Sequence, residues 1–370
     1  VGALADLLRG EPAQQPQEPD EQDGRALAAL IEGPHDASDY GAILESCGHD
    51  PSQVGFAAPP SVYTRWKADG TQATTYRYKL IAKRESSVEP LIERIKAAPK
   101  RVADGSTGPH WFVFQAGDQQ IGKRSRDGST AEIIERYLDS VQQATEEFAD
   151  LKRHGIEGIQ ISMPGDCLEG VVSQSSKNLW LTQETITEQF RILRRLMLHT
   201  VEAFAPLTDR VYLDVVNGNH DEAQREQNTY PGDGWATESA IAVADALEIN
   251  KAAYGHVEVR TPDKWCPDMT NEVGSSLVTV VHGHQWRIGK GMAWWQEQAF
   301  GNQPAASAQV LQHGHGHRWE LETTRDRVRV ASPTYDCGSD WYRGAHGGES
   351  KRGGLAYLLK NGEISRMSLV

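Results

Sequence analysis

Asn217-Gly218-Asn219-His220-Asp221 follows directly on the apolar run Val211-Tyr212-Leu213-Asp214-Val215-Val216. The run is short and β-branched, so it predicts a buried strand. The Gly-Asn pair predicts a sharp turn that presents side chains at the strand's C-terminal end. Open α/β sheets bind their ligands at such ends. An Asn oxygen can hold a metal ion, and the His beside it can pass a proton to a reacting oxygen. An Asn-His-Asp turn is common on its own, so its meaning depends on what the other strands carry.

Three more buried strands are predicted at residues 111–114, 156–163 and 277–281, with helices at 130–154, 184–204 and 236–250 between them. The second helix carries Ile186, Phe190, Leu193, Met197 and Val201 on one stripe. Each strand runs into a polar cluster. The first meets Gly117-Asp118-Gln119-Gln120-Ile121-Gly122-Lys123, the second Gly165-Asp166-Cys167-Leu168-Glu169-Gly170. The fourth meets His282-Gly283-His284, and His313-Gly314-His315-Gly316-His317 follows later. A Gly-Asp pair after a strand is usually only a turn. Histidines one residue apart between glycines are harder to explain by packing. Imidazole is a frequent transition-metal ligand, and carboxylate and amide oxygens complete a mixed shell.

This ordered set, over roughly residues 110–335, resembles the calcineurin-like metallophosphoesterases. Their pattern runs Asp-x-His, Gly-Asp-x-x-Asp/Glu, Gly-Asn-His-Asp/Glu, a His after a strand, then Gly-His-x-His. More narrowly, the chain resembles phage proteins labelled SbcD-type double-strand-break nucleases. The resemblance implies a four-layer α-β-β-α sandwich and a site for two divalent ions, Mn²⁺ with Fe or Zn as alternatives. Asp118, Asp166 and His317 would hold one ion. Asp166, as the bridge, would hold the other with Asn219, His282 and His315. His220 would protonate the leaving oxygen, with Asp221 orienting it and Glu169 standing behind the ligands. His284 and His313 fall outside the pattern. A thiol role for Cys167, beside the bridging Asp166, has no counterpart in the family's chemistry. One position departs: Gln120 stands where the family has His, and an amide oxygen is the weaker ligand for a transition metal. That departure leaves a loosely held ion, a harder ion or a binding-only protein open.

The amino-terminal third reads differently. The chain has 370 residues and a net charge of −13. Residues 1–60 carry a net −9 and residues 61–101 a net +6. Residues 1–24 are predicted to be a disordered acidic tail, and residues 25–100 a small module ahead of a metallophosphoesterase domain at 110–370. Within the module, helices at 25–31 and 36–47 are expected, then a basic hairpin over 62–67 and 74–81, a weakly winged-helix-like order. Arg65, Lys67, Arg77 and Lys79 are the candidate nucleic-acid contacts. The plainer alternative is a hairpin that packs its tyrosines. Trp286, Trp294 and Trp295 suit a core better than a substrate wall, and the chain offers no ligand logic for residues 335–343.

No apolar run approaches the ~20 residues of a membrane helix, and no leader is visible at Val1. Cys47, Cys167, Cys266 and Cys337 are widely spaced, which suits reduced thiols and a cytoplasmic setting, that of a bacterial host if the chain is viral. DNA is the expected partner, with a homo-oligomer or an ATPase subunit implied only by the resemblance. The function expected is a metal-dependent nuclease or phosphodiesterase. The alternatives are a phosphomonoesterase on a small molecule or phosphoprotein, and a metal-poor nucleic-acid binder.

Overall fold

The computed structural model describes residues 28–32, 40–46, 48, 54–56, 61–66, 72–82, 89–172, 179–224, 230–340, 343–344 and 347–370. The tail expected at 1–24 lies outside them, as does Lys67. The chain divides into two compact units, Gly10–Leu91 and one that contains Ile92–Val370.

In the smaller unit, β1 (Ala28–Glu32), β2 (Val54–Phe56) and β3 (Ser61–Trp66) all pair antiparallel with the long β4 (Gln72–Ala82). One helix, α1 (Tyr40–Ser46), is described between β1 and β2. The hairpin is where the alternating pattern put it, with Val62 opposite Tyr76 and Arg65 opposite Ala73. The helix expected at 25–31 is a correction. Ala28–Glu32 is a strand, because its backbone groups pair with residues 75–79 of β4. The two-helices-then-hairpin order is therefore not the one observed.

Helix α2 (Glu89–Ala97) runs across the boundary at residue 91, and β5 (His110–Gln115) is the first strand of the larger unit. The alternation in β5 sets up the layers. Phe112 and Phe114 face helices α3 (Thr130–Leu151) and α4 (Ile186–Phe204), meeting Phe148, Tyr137 and Phe204. Trp111 and Val113 face the other way, into a dry core shared by two sheets. The first sheet continues from β5 through the parallel strands β6 (Ile156–Pro164), β7 (Val211–Val216) and β8 (Val257–Arg260). The antiparallel β14 (Leu355–Lys360) and β15 (Glu363–Leu369) extend its other side.

The second sheet has the order β12 (Glu320–Thr323), β13 (Val328–Ala331), β11 (Val310–His313), β10 (Ser276–Val281), β9 (Asp268–Val273). Val278, Val280, Val310 and Val330 fill the core against Trp111, Leu355 and Tyr357. Outside, Val281 and Leu311 pack under Trp295 of α7 (Gly291–Phe300), whose indole N–H donates to the Ala305 carbonyl. Trp286 and Trp294 pack against the same cluster, so these tryptophans belong to the core. Helix α5 (Trp235–Glu248) flanks α4, and α6 (Lys251–Tyr254) follows it. The architecture is the four-layer α-β-β-α sandwich expected.

Local chemistry sets the helix ends. Ser129 with Glu132 and Thr185 with Glu188 form capping boxes at the starts of α3 and α4. Gly155, at φ 76°, stops the turn that follows α3 just before β6. The two sheets are also pinned by polar groups. Gln312 donates to Gln160 and to the Tyr357 hydroxyl, and Gln115 donates to the His313 carbonyl at 3.1 Å. This bonding ties the end of β5 to the end of β11, one loop away from Asp118 and His315. Among the described residues, no helix is long and apolar enough to cross a membrane.

Candidate metal centre

The loops that leave the C-terminal ends of β5, β6, β7, β10 and β11 bond directly to one another. Asp118 N–H donates to the Gly165 carbonyl at 3.0 Å, Gln120 N–H to Asp166 at 2.9 Å and Gly314 N–H to His282 at 2.9 Å. Asp118, Gln120, Asp166, His315 and His317 all have positive φ, from 46° to 65°. Among the described non-glycine residues only Asn302, Asn361 and Arg366 share that conformation. Such a residue costs about 1–3 kcal/mol and persists where the surroundings over-determine it. Two glycines let the loops close. A Cβ on Gly218 would stand 2.0 Å from Asp166 Oδ1, and one on Gly314 would stand 2.3 Å from Asp118 Oδ2.

The best-formed donor set is Asp166, His282 and His315, whose ligand atoms all lie within 4.8 Å of one another. The fully buried His282 donates from Nδ1 to the Pro164 carbonyl at 2.9 Å. Its Nε2 then faces Asp166 Oδ2 at 3.1 Å and His315 Nδ1 at 3.2 Å. Burial lowers the His282 pKa, but the Asp166 charge outweighs it and lifts it to about 9. Burial and His282 press His315 down to about 4, so His315 keeps a lone pair at neutral pH. Two ring nitrogens and a carboxylate crowded around one point are the donors a divalent transition ion accepts. The residues fit one such ion. Asn219 sits half-buried in the loop from β7, whose next residue, His220, donates its N–H to Asp166 Oδ1 at 2.8 Å.

His220 lies beside this set, with Nε2 3.8 Å from Asp166 Oδ2. Its orientation is a correction. The expected partner was Asp221, but Nδ1 meets the Glu169 carbonyl at 3.1 Å and the Glu169 carboxylate at 3.3 Å. Burial lowers the His220 pKa, yet Asp166 and Glu169 together raise it to about 9. Asp221 turns inward instead. Its carboxylate accepts from Gly218 N–H at 2.8 Å, Leu168 N–H at 3.0 Å and Cys167 N–H at 3.3 Å. It clamps the loop after β6 to the loop after β7. Burial and then Asp166 push its pKa up to about 6, against the hold of those N–H groups.

The other expected ion position is built differently. Asp118 accepts the His315 N–H on both oxygens, at 3.1 and 2.9 Å, and lies 3.4 Å from His317 Nε2. Gln120 is buried, and its Oε1 accepts from Lys123 Nζ at 2.5 Å. Lys123 also donates to the buried Asp336, whose Oδ2 lies 3.4 Å from His317 Nδ1. Neither Lys123 nor Asp336 was picked out from the sequence. The signal for Lys123 was its place three residues after Gln120. Asp336 carried none, since it reaches the site only because β13 runs beside β11.

The remaining candidates lie outside the donor set. His313 is buried, donates from Nδ1 to the Gly314 carbonyl and accepts from Arg329 at Nε2. Burial and Arg329 hold it down at about 3, so it is neutral and structural. His284 is exposed, its ring 5.4 Å from that of His282. Cys167 is buried, and burial and Asp221 drive its thiol pKa well up, which removes a reactive thiolate. Positions 65, 77 and 79 share one face of the smaller unit's sheet by register, while Trp66 on the other face is 74% exposed.

No family model and no curated protein matches this chain. Solved structures do. One is described as a novel archaeal phosphodiesterase, at 13% identity and TM-score 0.32, aligned over 70% of this chain and 99% of that one. Another is Vps29 from Entamoeba histolytica complexed with zinc, at 15% identity and TM-score 0.28, over 70% and 98%. A third is a conserved predicted phosphoesterase from Streptococcus pneumoniae TIGR4, at 11% identity and TM-score 0.28, over 70% and 97%.

Proposed function

We propose that this chain is a metal-dependent phosphoester hydrolase and that its substrate is DNA. The observation that carries the hydrolase reading is the convergence of Asp166, His282 and His315 beside a histidine that is not part of the donor set. Asn219 would complete the set. A divalent ion held there would polarise a phosphoryl oxygen and lower the pKa of a water next to it.

The chain's own residues do the rest. Asp166 fixes two things at once: its Oδ2 faces the ring of His282, and its Oδ1 holds the backbone of His220. Glu169 holds the Nδ1 side of His220, which leaves Nε2 to carry a proton toward the leaving oxygen. Asp166 and Glu169 both raise the His220 pKa, which favours its donor form. DNA is supported by the smaller unit. By register it has three basic positions, 65, 77 and 79, on one face of a sheet, a set suited to phosphate contact.

The test is turnover by the purified protein with Mn²⁺ on linear DNA, a bis-ester dye substrate and a mono-ester dye substrate, each repeated after chelation. DNA and the bis-ester should be cleaved, and chelation should stop both. His220→Asn should lose ~10²–10⁴-fold in rate and keep its bound metal. A preference for the mono-ester would move the reading to a phosphomonoesterase. Binding of DNA with no turnover on any substrate would leave a binding protein.

A further inference from the structure

The two ion positions implied by the resemblance are not equivalent in the structure. At one, three donor atoms face a common point. At the other they do not. His317 has Asp118 at Nε2, at 3.4 Å, while Asp336 lies against Nδ1, also at 3.4 Å. On the Nε2 side that leaves a pair of donors, Asp118 and His317, which Asp166 does not close into a group of three. Among the described residues, the only group of three His, Cys, Asp or Glu ligand atoms that converges is Asp166, His282 and His315.

Gln120 brings one possible ligand atom, its Oε1, and that atom is already held by an ammonium at 2.5 Å. The ammonium belongs to Lys123, whose side chain is only 13% exposed. A buried lysine is tolerated when its charge is paired, and here Asp336 pairs it. The ammonium is thus fixed on two sides, by the Gln120 amide oxygen and by the Asp336 carboxylate. A dication and an ammonium repel, so an oxygen that already holds the ammonium is a poor ligand for a second ion.

We propose that this centre holds a single divalent ion, at Asp166, His282 and His315, and that the Lys123 ammonium, fixed by Gln120 and Asp336, stands in for the second cation. The departure at Gln120 then has a reason. An imidazole there would present a ligand to metal, whereas an amide oxygen is the better acceptor for an ammonium. Lys123 supplies the charge that the absent ion would have supplied, without needing to be loaded. This inference rests on the metal-dependent reading above.

Counting bound Mn²⁺ by elemental analysis and by electron paramagnetic resonance separates the two, because neither readout needs turnover. The wild type should bind one ion per chain and show no spin-coupled pair. Lys123→Arg should do the same. Lys123→Met keeps the length of the side chain and removes the charge, and combined with Gln120→His it should bind two ions and show the coupled signal. A coupled pair in the wild type would overturn the proposal. So would a double variant that folds by circular dichroism and still binds only one ion. A wild type that binds none at saturating Mn²⁺ would sink the proposal together with the metal-dependent reading, and turnover on the dye esters without metal would mark the second failure on its own.

Discussion

Glu169 and Asp221 are two buried acids on either side of His220, and their hydrogen bonds give them different work. Glu169 touches the imidazole, while Asp221 accepts three backbone N–H groups and touches none of its ring atoms. Glu169→Gln removes a charge that raises the His220 pKa. The donor form should then be lost at lower pH, and the alkaline limb of the pH–rate profile should move down. Asp221→Ala should leave that limb in place. It strips the acceptor from three buried donors, so it should cost roughly 3 kcal/mol or more in unfolding free energy. Rate profiles and urea unfolding of the two variants check this; a limb that moves only with Asp221→Ala would restore the role first expected for it. The sequence could place both acids near His220, since both lie in strand-end loops. It could not say which one touches the ring, because that depends on the direction each carboxylate takes once the loops are packed.

At the scale of elements, strands 5, 6, 7 and 10 were legible because they are short apolar runs flanked by turns, whereas β11, which leads into the last histidine cluster, was not predicted as a strand. The helix over 184–204 was legible from its apolar stripe, and α3 with its following turn ends at His154, where the helix was expected to end. Ala28–Glu32 was misread because a five-residue apolar run has no period long enough to separate helix from strand; its partner in β4 decides the matter. Asp336 was missed because its contact with Lys123 spans more than two hundred residues of chain. The glycines of the strand-end loops make a test of how tightly the loops are set. Gly218→Ala would put a Cβ 2.0 Å from Asp166 Oδ1, whereas a Cβ on Gly316 would meet nothing within 4 Å. Gly218→Ala should weaken metal binding and cost about 1–3 kcal/mol. Gly316→Ala should change both little. Calorimetric Mn²⁺ titration and thermal unfolding compare them, and equal effects would mean that the approach of Gly218 to Asp166 does not shape the site.

For the whole molecule, the division into a sandwich with a buried, strained polar centre and a small sheet with basic positions suggests a division of labour. The sandwich would carry the chemistry and the small sheet the grip on the polymer. Reversing Arg65, Arg77 and Lys79 to Glu should weaken DNA binding and spare hydrolysis of a small bis-ester. Each phosphate contact removed should flatten the log–log salt dependence by ~0.9 for duplex DNA. An unchanged slope would make the basic positions structural. An ion at Asp166, His282 and His315 is what the proposed chemistry depends on, and anomalous diffraction at the manganese edge from crystals grown in Mn²⁺ looks for it directly. One strong peak is expected, bounded by Asp166, His282 Nε2 and His315 Nδ1, with Lys123 Nζ still on Gln120 and Asp336. No peak there in saturating Mn²⁺, or an ion elsewhere in the sandwich with that triad empty, would contradict it.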